Sequence, residues 1–271
     1  MHEPLELSVV VPAYNEERRL GRTLAEIVGY LRSRRVAFEL IVVDDGSRDG
    51  TSALTRELAG VHSELRLIRL PENCGKGYAV RTGVVNARGA RVLFADADGA
   101  TPVAELERLE GALATADIAI GSRALAGSGV RVEARWYRRI IGRVFHALVS
   151  GLTVSGFRDT QCGFKLFDGA VAHDLFSAMR MGGFSFDVEL LLMARRRGYR
   201  VAEVAVNWMH QPGSQVRLVR DSLRMGRDLF IIRSNALRGH YDRPRVAPLG
   251  AGRAVNTADR PRPALRRSTT A

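Results

Sequence analysis

Short aliphatic runs recur through the first half of the chain, and their spacing restricts the fold more than any other feature. The runs are Leu7–Val11, Phe38–Val43, Leu65–Leu70, Val92–Ala95 and Ile118–Ile120. They are rich in β-branched residues, bounded by polar turns, and apolar throughout rather than at alternate positions. That pattern marks strands covered on both faces, as in a parallel sheet. Between them lie Glu16–Arg34, Thr51–Gly60, Gly77–Ala87 and Pro102–Ala114, which read as helices. Thr101 followed by Pro102 predicts a hydroxyl-capped helix start. The order βαβαβαβαβ predicts a mostly parallel sheet with helices on both faces. Ligands of such sheets bind beyond the carboxyl ends of the strands.

The residues at those ends are polar in a patterned way. The first strand runs into Pro12-Ala13-Tyr14-Asn15-Glu16, the second into Asp44-Asp45-Gly46-Ser47, and the fourth into Asp96-Ala97-Asp98-Gly99. An Asp after a strand also caps the next helix or forms an Asx turn, and each of these residues is open to that reading. Asp96 and Asp98 stand apart because Thr101-Pro102 already supplies a helix start. Two hard oxygen donors at this spacing suit a divalent cation bridging phosphates. The turn after the first strand contains no glycine, so it lacks the GxGxxG of dinucleotide-binding folds, and GxxxxGK[ST] is absent as well.

Composition narrows the function classes. The 271 residues are 46% hydrophobic, carry 41 Lys+Arg against 29 Asp+Glu, and have a net charge of +12. Lys76 and Lys165 are the only lysines, so the positive surface is almost all guanidinium, which suits phosphate or anionic lipid. Residues 239–271 hold seven Arg against two Asp and four of the nine prolines. They read as a disordered basic tail behind a domain spanning 1–238. No apolar run approaches the ~18 residues of a membrane span, and the first residues lack a basic segment followed by an apolar one. Cys74 and Cys162 are too few for a zinc site or a disulfide framework and read as small buried residues of a reducing cytosol.

Four blocks carry a family likeness: VVVPAYNEERRL (9–20), IVVDDGSRDGT (41–51), NCGKGYAVRTGV (73–84) and FADADGATP (94–102). They resemble the inverting family 2 glycosyltransferases, which use nucleotide-diphosphate sugars on a GT-A fold. The likeness continues through GSR (121–123), DTQCGFKLF (159–167), FSFDVELL (184–191) and the stretch 206–233. Several of these blocks are similar to the polyprenol-phosphate branch, and ADADGAT looks like its dolichyl-phosphate β-glucosyltransferase group. The resemblance implies a nucleotide-sugar half over about 5–122 and an acceptor half over about 123–238. It places Pro12, Tyr14, Glu16, Asp44, Gly46, Asp96, Ala97, His210 and Ser214 around the nucleotide sugar, and a Mg²⁺ or Mn²⁺ ion at Asp96 and Asp98. Arg123 and Arg138 are implied at the acceptor phosphate, and Asp98, Asp159 and Asp187 in catalysis. The latter two also read as a structural hydrogen bond or a helix cap. Ala100 stands where the mannosyl enzymes carry a metal-binding Gln, and His210 and Gln215 stand where they carry Arg and Lys.

The second half bears two candidate lipid-facing helices. Trp136, Tyr137, Ile140, Ile141, Val144, Phe145, Leu148 and Val149 recur at helical spacing beside Arg135, Arg139 and Arg143. Val216–Leu237 sets Arg217, Arg220, Arg224 and Arg227 on one face and Leu218, Leu223, Leu229, Phe230 and Ile232 largely on another. An apolar stripe also fits a helix packed on the sheet; the flanking arginines favour an anionic membrane surface. The expectation is an enzyme passing glucose from UDP-glucose to polyprenyl or dolichyl phosphate, peripheral on the cytoplasmic face of the membrane and serving glycosylation. The rivals are GDP-mannose as donor, a glycolipid hydroxyl as acceptor, or a non-catalytic basic protein binding membrane or nucleic acid. Nucleic acid is not expected, because no aromatic platform is interleaved with the arginines.

Overall fold

The computed structural model describes residues 4–125, 127, 129–133, 149, 151, 153–211 and 218–242. The five sequence-predicted strands form as β1 (Leu7–Ala13), β2 (Phe38–Asp44), β3 (Leu65–Arg69), β4 (Arg91–Ala95) and β5 (Ile118–Ser122). They alternate with α1 (Leu20–Ser33), α2 (Thr51–Val61), α3 (Lys76–Val85) and α4 (Leu106–Leu113). Beyond them come β6 (Val132–Glu133), β7 (Phe164–Asp168), α5 (Gly169–Ala178), α6 (Phe186–Arg196), β8 (Val201–Ala205), β9 (Trp208–Met209) and α7 (Leu218–Leu237). Seven strands make one sheet in the order β3-β2-β1-β4-β7-β5-β8, and β6 pairs with β9 in a two-stranded ribbon.

β7 is antiparallel to both its neighbours, β4 and β5, while the other pairs of the large sheet are parallel. This inversion matters for the site. Phe164, the first residue of β7, lies opposite Ala95, the last of β4. The segment entering β7 therefore reaches the same sheet edge as the residues leaving β1, β2 and β4. The sheet thus runs through residues on both sides of position 122.

The continuous apolar runs fill two cores, one on each face. Val10, Ile41, Val43, Val92 and Phe94 face one, together with side chains of α3, α5, α6 and α7. Val9, Val11, Leu40, Val42 and Leu93 face the other, against α1 and α4. Successive residues of a strand point to opposite faces, so strands buried on both sides need every position apolar. Glu39 is a charged exception near the start of β2. Burial works to raise its pKa, but hydrogen bonds from Ser8 Oγ (2.7 Å), the Arg88 backbone N–H (2.7 Å) and Arg66 (3.0 Å) outweigh burial and lower it.

Two expectations are corrected here. The Thr101 hydroxyl does not cap a helix: Pro102 occupies the cap of a single 3₁₀ turn, Val103–Glu105, which leads into α4 without a side-chain cap bond. The folded part also extends past residue 238. Tyr241 is fully buried, donating its hydroxyl to Glu189 (2.7 Å) and accepting from Asn235 Nδ2 (3.1 Å), while Asp242 pairs with Arg196. Residues 243–271 lie outside the described set. Tyr241→Ala should lower stability by about 3–5 kcal/mol, the usual cost of removing a large buried aromatic, in urea melts of the full chain. An unchanged midpoint would return Tyr241 to the tail.

Candidate active site

A cleft of about 910 Å³ opens at the carboxyl edge of the sheet. The end of β1 contributes Pro12, the loop after it Tyr14 and Glu16, and the loop after β2 contributes Asp45. The turn after β4 contributes Asp96, Ala97 and Asp98. The approach to α3 supplies Asn73 and Lys76, the segment before α6 supplies Gly183 and Phe184, and α7 closes one side with Arg224, Met225, Arg227 and Asp228.

The first two loops brace each other. Asn15 takes a left-handed backbone conformation (φ 55°), accepts the Arg48 N–H at its Oδ1 (2.9 Å) and donates its own N–H to Ser47 Oγ (2.9 Å). Glu16 N–H donates to Thr51 Oγ1 (2.8 Å). Of the paired aspartates, Asp45 rather than Asp44 faces the cleft. Asp44 is fully buried behind it, accepting the Ser47 N–H (2.8 Å) and the Ser52 hydroxyl. Asp45 accepts the N–H groups of Cys74 (2.7 Å) and Gly75 (3.0 Å), and burial still raises its pKa against those bonds. Gly46 lets the turn press on the backbone of Glu72: its φ is 68° and a Cβ would overlap that backbone. Cys74, expected to be buried, is exposed, and Cys162 is buried as expected.

One of the carboxylates after β4 is held by a half-buried cation. Lys76 Nζ contacts Asp96 Oδ1 at 2.6 Å, and Asp96, Asp187 and Asp98 raise its pKa although burial opposes the charge. Asp96 donates its N–H to the Gly163 carbonyl (3.0 Å), and its carboxylate fills the space where a Cβ on residue 163 would sit. Only glycine permits that approach. Asp98 accepts the Ala100 N–H (3.0 Å), while burial and the neighbouring Asp96 push its carboxyl above the ordinary range. A cation would relieve both effects. Among the described residues no cluster of three or more His, Cys, Asp or Glu is arranged to hold a metal alone. Asp96 and Asp98 fit Mg²⁺ or Mn²⁺ as a partial ligand set, completed by substrate oxygens and water.

Asp187 and Asp159 lie behind this edge and do not line the cleft. Asp187 is buried against Lys165, whose Nζ contacts it at 2.5 Å and donates to the Cys162 carbonyl at 2.6 Å. Asp159 takes Arg123 in a two-pronged pair, Nε to Oδ2 at 2.6 Å and Nη2 to Oδ1 at 2.9 Å, and accepts the Arg123 N–H at 3.0 Å. Arg123 also stands over the Trp208 ring (5.7 Å). Two of the three expected catalytic carboxylates, Asp159 and Asp187, are therefore the partners of cations, and Arg123 is held by protein rather than open to a ligand. His210 packs its ring 6.2 Å from that of Trp208 and is not on the cleft wall. Arg138, Ser214, Gln215 and most of the helical stretch 135–149 lie outside the described residues.

The sequence reading assigned no role to Asp45, Lys76, Lys165 or Gly163. One signal was present: the chain's only two lysines fall inside the family-like blocks.

A family model for glycosyl transferase family 2 matches residues 8–176. Dolichyl-phosphate β-glucosyltransferase of Drosophila melanogaster is 43% identical, with 84% of this chain aligned to 74% of that one. The human protein of that name is 41% identical over 87% and 77%, and that of Saccharomyces cerevisiae 34% over 88% and 77%. Among solved structures, glucosyl-3-phosphoglycerate synthase from Mycobacterium tuberculosis in complex with UDP superposes with a TM-score of 0.64 at 20% identity, over 87% of this chain and 80% of that one. The same enzyme with Mn²⁺, UDP and glucosyl-3-phosphoglycerate gives 0.62 at 22%, over 89% and 81%. These likenesses show the GT-A fold.

The two ion pairs make separable predictions. Asp187→Ala strands the Lys165 ammonium, which is 1% exposed, and should cost about 3–5 kcal/mol of stability. Replacing both partners, Lys165→Met with Asp187→Leu, should recover most of the loss in thermal melts. Burial works to raise the pKa of Asp159, but the Arg123 guanidinium outweighs it and holds the carboxyl at about 2, below the ~3.9 of an unfolded Asp. The pair's stabilisation is therefore full above the unfolded value and lost as pH falls through about 2. Wild type and Asp159→Asn should differ in unfolding free energy at pH 7, and the gap should shrink as pH falls from ~4 toward about 2; a gap independent of pH would contradict the pairing.

Proposed function

This chain belongs to glycosyl transferase family 2, and from that membership we propose that it transfers glucose from UDP-glucose to a polyprenyl or dolichyl phosphate with inversion, releasing UDP. Support comes from the dolichyl-phosphate β-glucosyltransferases it matches over most of its length. The observation that carries the acceptor class is the state of the two further carboxylates. Asp159 and Asp187 are each locked to a cation, Arg123 and Lys165, and neither reaches the cleft. A hydroxyl acceptor needs a base to take its proton. A phosphate monoester, with a second pKa near ~6, arrives largely dianionic and needs none.

The uridine belongs along the β1 and β2 loops, between Tyr14 and Asp45, with the diphosphate toward Asp96 and Asp98. A divalent cation bound there would neutralise the charge that the diphosphate gains on leaving. Lys76 keeps the Asp96 carboxylate aimed at the cleft, and Gly163 gives it room. An acceptor phosphate oxygen forms the new bond to the anomeric carbon from the face opposite the diphosphate. The bond from that carbon to the β-phosphate oxygen breaks, and its electron pair leaves with UDP.

The lipid acceptor implies a membrane surface. No helix among the described residues is long and apolar enough to cross a membrane. α7 buries Leu229 and Ile232 in the core but leaves Phe230 63% and Leu237 78% exposed, seven residues apart and so on one side of the helix. Leu229 and Ile232, read from the sequence as part of a lipid-facing stripe, thus pack into the core, while Phe230 keeps the exposed position. With the excess of arginine, this face supports peripheral attachment to anionic lipid at the cytoplasmic leaflet.

Labelled UDP-glucose and GDP-mannose, each supplied with polyprenyl phosphate and Mg²⁺, test the proposal. Glucose label should enter the organic phase, EDTA should stop it, and Asp98→Asn should lower turnover about a hundredfold or more. Mannose label alone, or no lipid-linked label, would overturn it.

A further inference from the structure

Beyond the β4 edge, the cleft has a second charged wall on α7. Arg224 and Arg227 are exposed, line the cleft, and lie three residues apart on one face of the helix. The other lining cations are committed: Arg19 contacts Glu16 at 2.6 Å and Lys76 contacts Asp96 at 2.6 Å. Among the described residues, neither Arg224 nor Arg227 has a carboxylate partner.

This stretch of α7 is fixed in place from both sides. Met225 Sδ lies 4.0 Å from Gln161 Nε2, in the segment that runs on to Gly163 and the Asp96 carboxylate. Asp228 accepts the Ser185 hydroxyl at 2.9 Å, just before α6. Arg224 and Arg227 each immediately precede one of these anchors, so their guanidinium groups border the cleft from an element that is itself tethered. Along the same helix, Phe230 follows Arg227 by three residues, a rise of about 4.5 Å. A phosphate carried on a lipid tail would meet these guanidinium groups where the exposed apolar face gives way to the polar cleft. Guanidinium is the side chain suited to forked contacts with phosphate oxygens. Arg123, by contrast, has its fork occupied by Asp159.

We propose that Arg224 and Arg227 are the phosphate-binding pair that receives the headgroup of the polyprenyl phosphate. The assignment rests on the acceptor class proposed above, and its test is read by binding so that the two can fail separately. Arg224→Gln, Arg227→Gln and the double variant are titrated with a short-chain polyprenyl phosphate and, separately, with UDP in the presence of Mn²⁺. Each single change should weaken the lipid phosphate about tenfold or more, and the pair about a hundredfold, the scale of losing charged hydrogen bonds. UDP affinity should stay within about twofold, and Arg227→Lys should recover part of the loss because it keeps the charge. The corresponding prenol, without phosphate, should bind wild type and variants alike. Unchanged lipid-phosphate affinity in the double variant would overturn the site. Loss of UDP affinity with lipid-phosphate affinity intact would overturn the acceptor assignment and give the pair to the donor diphosphate. A wild type that binds the lipid phosphate through these arginines yet transfers no glucose would refute the proposed activity and leave the site standing.

Discussion

Two ammonium groups gather at one aromatic ring in the middle of the sheet: Lys76 Nζ is 5.4 Å and Lys165 Nζ 5.9 Å from the centroid of Phe94. Phe94 is the penultimate residue of β4, Lys165 is its cross-strand partner on β7, and Phe186 meets the ring edge-on at 5.8 Å. Each lysine holds one carboxylate, Lys76 that of Asp96 and Lys165 that of Asp187. The antiparallel strand between β4 and β5 makes this possible, because it brings residues 159–165 to the sheet edge that carries Asp96. In a chain whose other 39 Lys+Arg residues are all arginine, both ammonium groups stand at this ring. Lys165 shares its donors between a carbonyl and a carboxylate inside a dry core, where a planar guanidinium would need more room.

A buried ion pair adds little net stability, because desolvation offsets most of the attraction. Its effect here is placement. With Asp187 satisfied by Lys165, α6 begins at a fixed position beside the segment 183–184 that lines the cleft. With Asp96 satisfied by Lys76, its carboxylate stays against Gly163 while Asp98, crowded and partly desolvated, is left poised for a cation. On the proposed function, the chain alone presents an incomplete metal site, and diphosphate oxygens of the nucleotide would supply the missing ligands and the charge that offsets Lys76.

Much of this was legible in the sequence because it is local. Uniformly apolar runs announced strands buried on both faces, and the residues following β1, β2 and β4 do line the cleft. Long-range pairing was not legible. Asp159 meets Arg123 across 36 residues and Asp187 meets Lys165 across 22, and both depend on where β7 inserts, which no local period encodes. The choice between Asp44 and Asp45 was hidden because both sit at the strand end and only the turn through Gly46 decides which faces outward. Tyr241 was misread because a single aromatic in an arginine- and proline-rich stretch carries no periodic signal. The stripe on α7 shows the opposite case: its apolar positions were clear, and only tertiary packing reveals that Leu229, Ile232 and Ala236 turn to the core while Phe230 stays exposed.

The central claim is that the carboxylates after β4 form a cation site which the nucleotide completes. Mn²⁺ binding followed by electron paramagnetic resonance, with and without UDP, tests it most directly. Wild type should bind Mn²⁺ weakly alone and far more tightly with UDP present, and Asp98→Asn should abolish the gain. Tight Mn²⁺ binding without UDP, or a UDP-dependent gain that survives Asp98→Asn, would contradict the account.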